Sequence, residues 1–256
     1  MIHIHSEEEI KIMAIGGAML GRVKNKLNDA VKIGVTTFEI EELACELIKK
    51  EGAEPSFKKV PGYSWATCIS VNAGLVHGIP TRELIFRDGD LVSVDVGIYY
   101  KGFHTDTSIS VGLNLSVENK KFLGVGKIAL EKAIGKTRAG NYIFDISKAM
   151  EDTIEGAGYT TIKALVGHGV GRELHEEPQI PCFLPAGRHG VLERIKESPR
   201  IQVGMVLAVE VMYAMGSDKV EVDADGWTIR TRDGKISALF EETVAVTAKG
   251  PKVLTI

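Results

Sequence analysis

Several acids in this 256-residue chain sit where acids are costly, and they point to its chemistry. Asp95 lies in Leu91-Val92-Ser93-Val94-Asp95-Val96-Gly97-Ile98. The strand period puts Val92, Val94, Val96 and Ile98 on one face and Asp95 on the other, with Ser93 and Gly97. Aspartate is depleted in strands, and burying one without a partner is unfavourable. Asp106 follows in the next strand-like run between Thr105 and Thr107, and a tight connection at Lys101-Gly102 would make the two strands neighbours. Near the C-terminus the same anomaly returns: Glu210 in Val206-Leu207-Ala208-Val209-Glu210-Val211-Met212, and Glu241-Glu242 in Ala238-Leu239-Phe240-Glu241-Glu242-Thr243-Val244. A glutamate in a buried strand needs a metal, a cation or a raised pKa, and these strands contain no lysine or arginine. Adjacent strand residues face opposite ways, so one of Glu241 and Glu242 is expected inside and the other solvated.

Histidines complete the set. His168 lies in Val166-Gly167-His168-Gly169-Val170-Gly171, where glycines allow close approach of the backbone to a ligand. His175 follows seven residues later in Leu174-His175-Glu176-Glu177-Pro178, and His77 stands in His77-Gly78-Ile79-Pro80. A lone histidine is more often a hydrogen-bonded structural residue, but two in one glycine-rich loop shift the balance. Four carboxylates and an imidazole form an oxygen-rich donor set, unlike the cysteine-rich sets of structural zinc. It suits a pair of Mn²⁺, Fe²⁺ or Co²⁺ ions, with Zn²⁺ also admitted. Two such ions about 3.5–4 Å apart can share a hydroxide and polarise a substrate carbonyl.

Competing motifs fail. Gly135-Lys136-Thr137 ends like a phosphate loop, but Leu130 stands where that pattern needs glycine. Arg172 occupies the third glycine position of a dinucleotide fingerprint, His175 does not open a His-Glu-x-x-His motif, and no Gly-x-Ser-x-Gly elbow occurs.

The elements that must position these residues follow from pattern. Ser6 with Glu9, and Thr36 with Glu39, are capping boxes opening two helices, the second closed by Gly52. Strands are expected at 68–71, 91–99, 103–111, 160–166, 205–213, 227–231 and 236–247, and helices at 117–134 and 142–157. Val76-His77-Gly78-Ile79 and Gly167-His168-Gly169-Val170 echo one another, compatible with a two-half architecture. No linker or low-complexity tract interrupts the chain, so residues 1–256 read as one α/β domain. A net charge of −3 gives no reason to expect a nucleic-acid site, and no apolar run is long enough to span a membrane. The N-terminus lacks a signal-peptide pattern, and Cys45, Cys68 and Cys182 are widely spaced and odd in number. Together these features make the cytoplasm the expected compartment.

Taken jointly, several motifs resemble the methionine aminopeptidases, in order and over nearly the whole chain. They are His77-Gly78-Ile79-Pro80, Val94-Asp95-Val96, Phe103-His104-Thr105-Asp106-Thr107-Ser108, Gly167-His168-Gly169-Val170-Gly171-Arg172 and His175-Glu176-Glu177-Pro178, extended by Asp225-Gly226-Trp227-Thr228 and Phe240-Glu241-Glu242-Thr243. The short distance from His175 to Glu210 leaves no room for the type II helical insertion, so the resemblance is to type I without an N-terminal extension. It implies the pita-bread fold, two pseudo-symmetric α/β halves around a dinuclear metal site. It also implies Asp95, Asp106, His168, Glu210 and Glu241 as ligands, with Asp106 and Glu241 bridging, and so selects Glu241 over Glu242. His77 and His175 would contact the scissile amide and the developing oxyanion, and Glu210 would also shuttle the proton of the bridging water. Tyr63, Cys68 and Trp227 match positions lining the methionine pocket. The chain departs from the family at Val211, where Glu-Pro-Met is usual, at Leu174, where an aromatic is usual, and at Phe57 and Val60.

The resemblance implies removal of initiator methionine, by a monomer, from nascent chains and from peptides with a small second residue. It brings in the ribosome as a further partner. Lys219, Arg230, Arg232 and Lys235 form a modest basic cluster near the site rim, read here as a solvated strand face. Two alternatives share the fold. A proline-specific (Xaa-Pro) aminopeptidase normally carries a large extra N-terminal domain, and a metal-free binding module normally loses ligands.

Overall fold

The computed structural model describes residues 1–256. Helix α1 (Glu7–Ala30) begins at a closed capping box: Glu9 N donates to Ser6 Oγ, and Ser6 N donates to Glu9 Oε2. Thr36 and Glu39 cap α2 (Thr37–Lys50) in the same way. There follow β1 (Glu54–Pro55), a 3-10 turn at Phe57–Lys59, β2 (Thr67–Val71), β3 (Gly74–Val76), β4 (Leu91–Tyr100) and β5 (Phe103–Gly112). The β4–β5 hairpin turns at Lys101 and Gly102, both with positive φ, as a two-residue turn that follows strand twist requires. The second half opens with α3 (Val117–Lys136) and α4 (Ile143–Gly156), then β6 (Thr160–Thr161), β7 (Val166–Gly169), β8 (Glu176–Pro181), α5 (Val191–Lys196) and β9 (Val206–Ala214). Strands β10 (Val220–Val222), β11 (Ile229–Thr231), β12 (Ser237–Thr247) and β13 (Gly250–Val253) complete the chain.

Ten strands form one sheet in the order β1-β4-β5-β12-β9-β7-β8, with β2 on β4, β6 on β9 and β13 on β12. A small sheet, β10-β11-β3, stands apart. In each half a helix pair precedes the strands it covers. Leu20, Val23 and Leu27 of α1 and Ile40, Ala44 and Ile48 of α2 pack on Val92, Val94, Val96 and Ile98, the predicted apolar face of β4. In the other half, Phe122 and Ala129 of α3 and Ile146, Met150 and Ile154 of α4 pack on Leu207, Val209 and Val211 of β9 and Phe240 and Val244 of β12. Both helix pairs therefore cover the face opposite Asp95, Glu210 and Glu241, which leaves the acids together on the uncovered face.

The structure divides the expected 160–166 strand, because the chain bends at Lys163 and Ala164 between β6 and β7. It also places His168 on a strand, β7, paired with Ala208 of β9, rather than in a glycine-rich loop. The split leaves part of the β9 edge without a partner strand. Cys182 fills the gap: its thiol donates to Glu210 O at 3.4 Å and accepts from Met212 N at 3.4 Å.

Candidate metal centre

Strand register builds the site. Cys68 of β2 opposes Asp95 of β4, Asp95 opposes Ser108 of β5, Ser108 opposes Glu241 of β12, and Glu241 opposes Glu210 of β9. Directly opposed residues share a sheet face, with Cβ atoms about 4.5–5.5 Å apart, so three carboxylates lie in one row across the sheet. Asp106, two residues from Ser108 and opposite Gly97, shares that face and sets a fourth carboxylate beside the row. His168 reaches in from β7, and one donor atom each of Asp106, His168 and Glu241 lies within 4.8 Å of the others. Glu210 Oε1 stands 4.0 Å from His168 Nε2.

The arrangement is repulsive unless cations neutralise it. Asp95 is raised well above the usual carboxylate range, first by burial and then by the charges of Asp106 and Glu210. Burial and then Asp106 raise Glu210; burial and then Asp106, Glu210 and Asp95 raise Glu241; Asp106 is pushed to about 7, chiefly by burial. Asp95 Oδ1 and Glu241 Oε1 are buried with no hydrogen-bond partner, and a buried polar atom left in that state is costly unless a ligand satisfies it. The donor set therefore fits divalent metal. His168 is suited to the same role. It is pushed down to about 3 by burial and then by His175, which keeps the ring neutral. Nδ1 lies 2.9 Å from Gly169 O, so the proton belongs there and Nε2 offers its lone pair to the cluster.

The β5 backbone is fixed beside these groups. Asp106 N donates to Thr243 Oγ1 at 2.9 Å, Thr243 Oγ1 donates to Asp106 O at 2.7 Å, and Thr107 Oγ1 donates to Glu241 O at 2.8 Å. Glu242 points to the opposite face from Glu241, as expected, but it is not simply solvated. It pairs with the buried Lys24 of α1 and accepts from Thr255 Oγ1 at 2.5 Å. The cation missing from the strands comes from a helix and serves the neighbouring acid.

A cavity of about 280 Å³ opens over the acids, with Phe57, Val60, Tyr63, Cys68, Leu174 and Trp227 on one wall. Tyr63 and Trp227 meet edge to face at 5.0 Å, and the Tyr63 hydroxyl donates to Thr67 O at 2.8 Å. His77 and His175 stand at the cavity. Desolvation holds both below the ordinary imidazole value, and His175 lowers His77 further. His77 has φ +57°, and a Cβ at the next residue, Gly78, would overlap the Ile69 carbonyl. A non-glycine residue held in this region at a functional site is strain that its surroundings must maintain. The His175 ring meets His168 edge-on at 4.5 Å.

A family model described as metallopeptidase family M24 matches residues 11–248. The chain belongs to this family. It is similar to the methionine aminopeptidase of Clostridium perfringens, 41% identical over all of this chain and 99% of that one, and to methionine aminopeptidase 1 of Bacillus subtilis, 38% identical over 100% and 99%. The crystal structure of methionine aminopeptidase from Thermotoga maritima superposes with a TM-score of 0.92 at 38% identity, covering 100% of this chain and 99% of that chain. Prolidase from Pyrococcus furiosus shares the fold, with a TM-score of 0.77 at 22% identity, but this chain spans 65% of its length. The pita-bread architecture expected from the motifs is thus the observed one.

Every candidate residue named in the sequence lines the M24 chain's cavity: Asp95, Asp106, His168, Glu210, Glu241, His77, His175, Tyr63, Cys68 and Trp227. Sequence reasoning missed a second apolar group at the cavity, Val76, Leu165 and Met212, which pack together. Only their adjacency to His77, Val166 and Val211 could have drawn attention to them. Among the rim cations, Arg230 pairs with Glu221 at 2.7 Å and Lys219 with Asp218 at 3.4 Å, consistent with a solvated, charge-balanced face. No helix is long and apolar enough to cross a membrane.

Proposed function

We propose that this M24 chain releases methionine from the free N-terminus of peptides and nascent proteins with a small second residue. Asp95, Asp106, His168, Glu210 and Glu241 would hold two divalent cations, Co²⁺, Mn²⁺, Fe²⁺ or Zn²⁺. The observation that carries this reading is the row of opposed acids, with two of its buried oxygens unpartnered, at the floor of an apolar cavity. Divalent cations there would supply Lewis acidity and lower the pKa of water.

The chain's own groups do the rest. Glu210, at the edge of the acid row, would take the proton of the attacking water and return it to the departing amine. Neutral His77 and His175 can each donate an N–H, to the scissile amide and to the carbonyl oxygen as it gains charge. Phe57, Tyr63, Cys68 and Trp227 offer a thioether the sulfur and aromatic contacts it favours, and Leu174 adds an apolar surface. We assign the chain as one catalytic domain, a cytoplasmic monomer acting near the ribosome as substrates emerge.

Turnover of Met-Ala, Leu-Ala, Met-Lys and Ala-Pro peptides by one metal-loaded preparation tests the assignment. Met-Ala is expected to be fastest, with slow leakage to Leu-Ala because Leu174 closes the pocket less fully than an aromatic ring. A methylene-sized difference carries only about 1–3 kcal/mol of discrimination. Faster turnover of Ala-Pro than Met-Ala would replace the assignment with a proline-specific one, and bound metal with no turnover would favour a binding module.

A further inference from the structure

We infer that the segment Ile2–Glu9 works as part of the site, with His5 and the Glu9–Arg172 pair as positioning residues for the loop carrying Leu174 and His175. The inference rests on the role proposed above for His175. Between Gly171 and Glu176 the chain is mostly solvent-facing: Arg172, Glu173 and His175 are exposed. Its own hydrogen bonds are Gly171 N to Glu173 O at 3.1 Å and Glu173 N to Glu176 Oε1 at 3.1 Å. The His175 ring makes no hydrogen bond, so its direction follows from where the backbone is held and from its edge contact with His168.

That backbone is gripped from two sides. His104 N, on β5, donates to Gly171 O at 2.7 Å. The N-terminal segment closes the other side. Ile2 bridges to Glu177, and His5 N donates to Gly204 O at 2.8 Å. The His5 side chain, with the residue only 7% exposed, lies directly on Gly171, where a Cβ would overlap the imidazole ring. The ring packs edge-on against Phe103 at 6.1 Å. Glu176 Oε2 faces His5 Nε2 at 3.9 Å and His3 Nδ1 at 3.7 Å. Outside this layer, Arg172 Nη2 donates to Glu9 Oε1 at 2.6 Å, and its guanidinium lies over the Phe103 ring at 5.0 Å. Glu9 thus caps α1 with one oxygen and holds the loop with the other. Met13, Leu20, Val23 and Leu27 already anchor α1 in the core, so these contacts are not needed to hold the helix. What they fix is a loop with few bonds of its own that carries His175, the proposed oxyanion donor.

The test is a double-mutant cycle on Met-Ala hydrolysis, with metal content and melting temperature measured for each protein. His5→Ala and Arg172→Met are each made alone and together with His175→Ala. His5→Ala is expected to lower kcat about tenfold, within the roughly 10²-fold that a misplacement of about 1 Å costs. KM, metal content and melting temperature should change little, and His5→Phe, which refills the notch over Gly171, should recover most of the loss. In the His175→Ala background the further loss should fall below about twofold, since contacts acting through one residue are not additive. Full additivity in both cycles would overturn the proposal, as would unchanged kcat in both single variants. If His5→Ala does not fold, the Arg172→Met cycle and His5→Phe carry the same comparison. His175→Ala with unchanged kcat would instead remove the role of His175, and this inference with it.

Discussion

At the scale of single residues, Asp106 and Glu241 are the two carboxylates that share one compact donor cluster with His168. Each is buried, each is raised by its surroundings, and each touches the compact donor cluster. Replacing Asp106 with Ala is therefore expected to remove stoichiometric metal and hydrolysis together, checked by metal analysis beside an activity assay; full metal and wild-type rate in that variant would dismiss the bridging assignment. His175→Ala should separate the two readouts. Metal stays, because no ligand is lost, while kcat falls about 10²–10³-fold, the worth of a donor aimed at a developing oxyanion. Metal loss from this variant would make His175 a ligand. Asp95 and Glu210 were legible in the sequence because an acid inside an apolar strand is anomalous by residue type alone, and Asp106 because it follows Asp95 in the next strand. The choice between Glu241 and Glu242 was not legible from pattern, since alternation says only that they differ. Register decides it by setting Glu241 opposite Ser108 and Glu210, and the partner of Glu242 lies 218 residues away in α1.

At the scale of elements, two helix pairs and the strands beneath them position every acid. The capping boxes at Ser6 and Thr36, and the two-residue turn at Lys101-Gly102, are local signals, so the start of α1, both ends of α2 and the β4–β5 hairpin could be read within a residue or two. Strand β3 was missed because it is short and owes its existence to a non-local partner, β11, and β8 because Pro178 and Pro181 argue against a strand by local pattern. His168 was placed in a loop because glycine neighbours mask a strand whose ladder to β9 no local pattern reveals. The Lys24–Glu242 pair ties α1 to β12 directly behind the site, with the lysine side chain only 9% exposed. Lys24→Met leaves Glu242 half-buried with hydroxyl partners only, so the expected loss of stability is near the lower end of the roughly 3–5 kcal/mol seen when a buried pair is broken. Urea unfolding of the two proteins measures it, and equal midpoints would show that the pair contributes nothing to the tie.

At the scale of the whole molecule, the sheet carries an apolar face covered by four helices and an opposite face whose acids repel one another. Metal that binds this folded site alone must stabilise the fold. At 100 times the dissociation constant the gain is about 2.7 kcal/mol, which for a chain of this size is a rise of about 5–10 °C in melting temperature. A calorimetric scan with and without chelator shows whether the rise occurs, and coincident transitions would mean that the acids are not neutralised by bound cations. The claim on which the whole account depends is that these residues would hold paired divalent cations and that hydrolysis of the methionyl bond requires them. Its most direct test is titration of the chelated protein with Co²⁺ or Mn²⁺, following bound metal per chain and Met-Ala hydrolysis together. The account predicts no hydrolysis at zero metal, activity that climbs with occupancy, and saturation at two ions per chain. Met-Ala hydrolysis that persists at the wild-type rate in fully metal-free protein would contradict it.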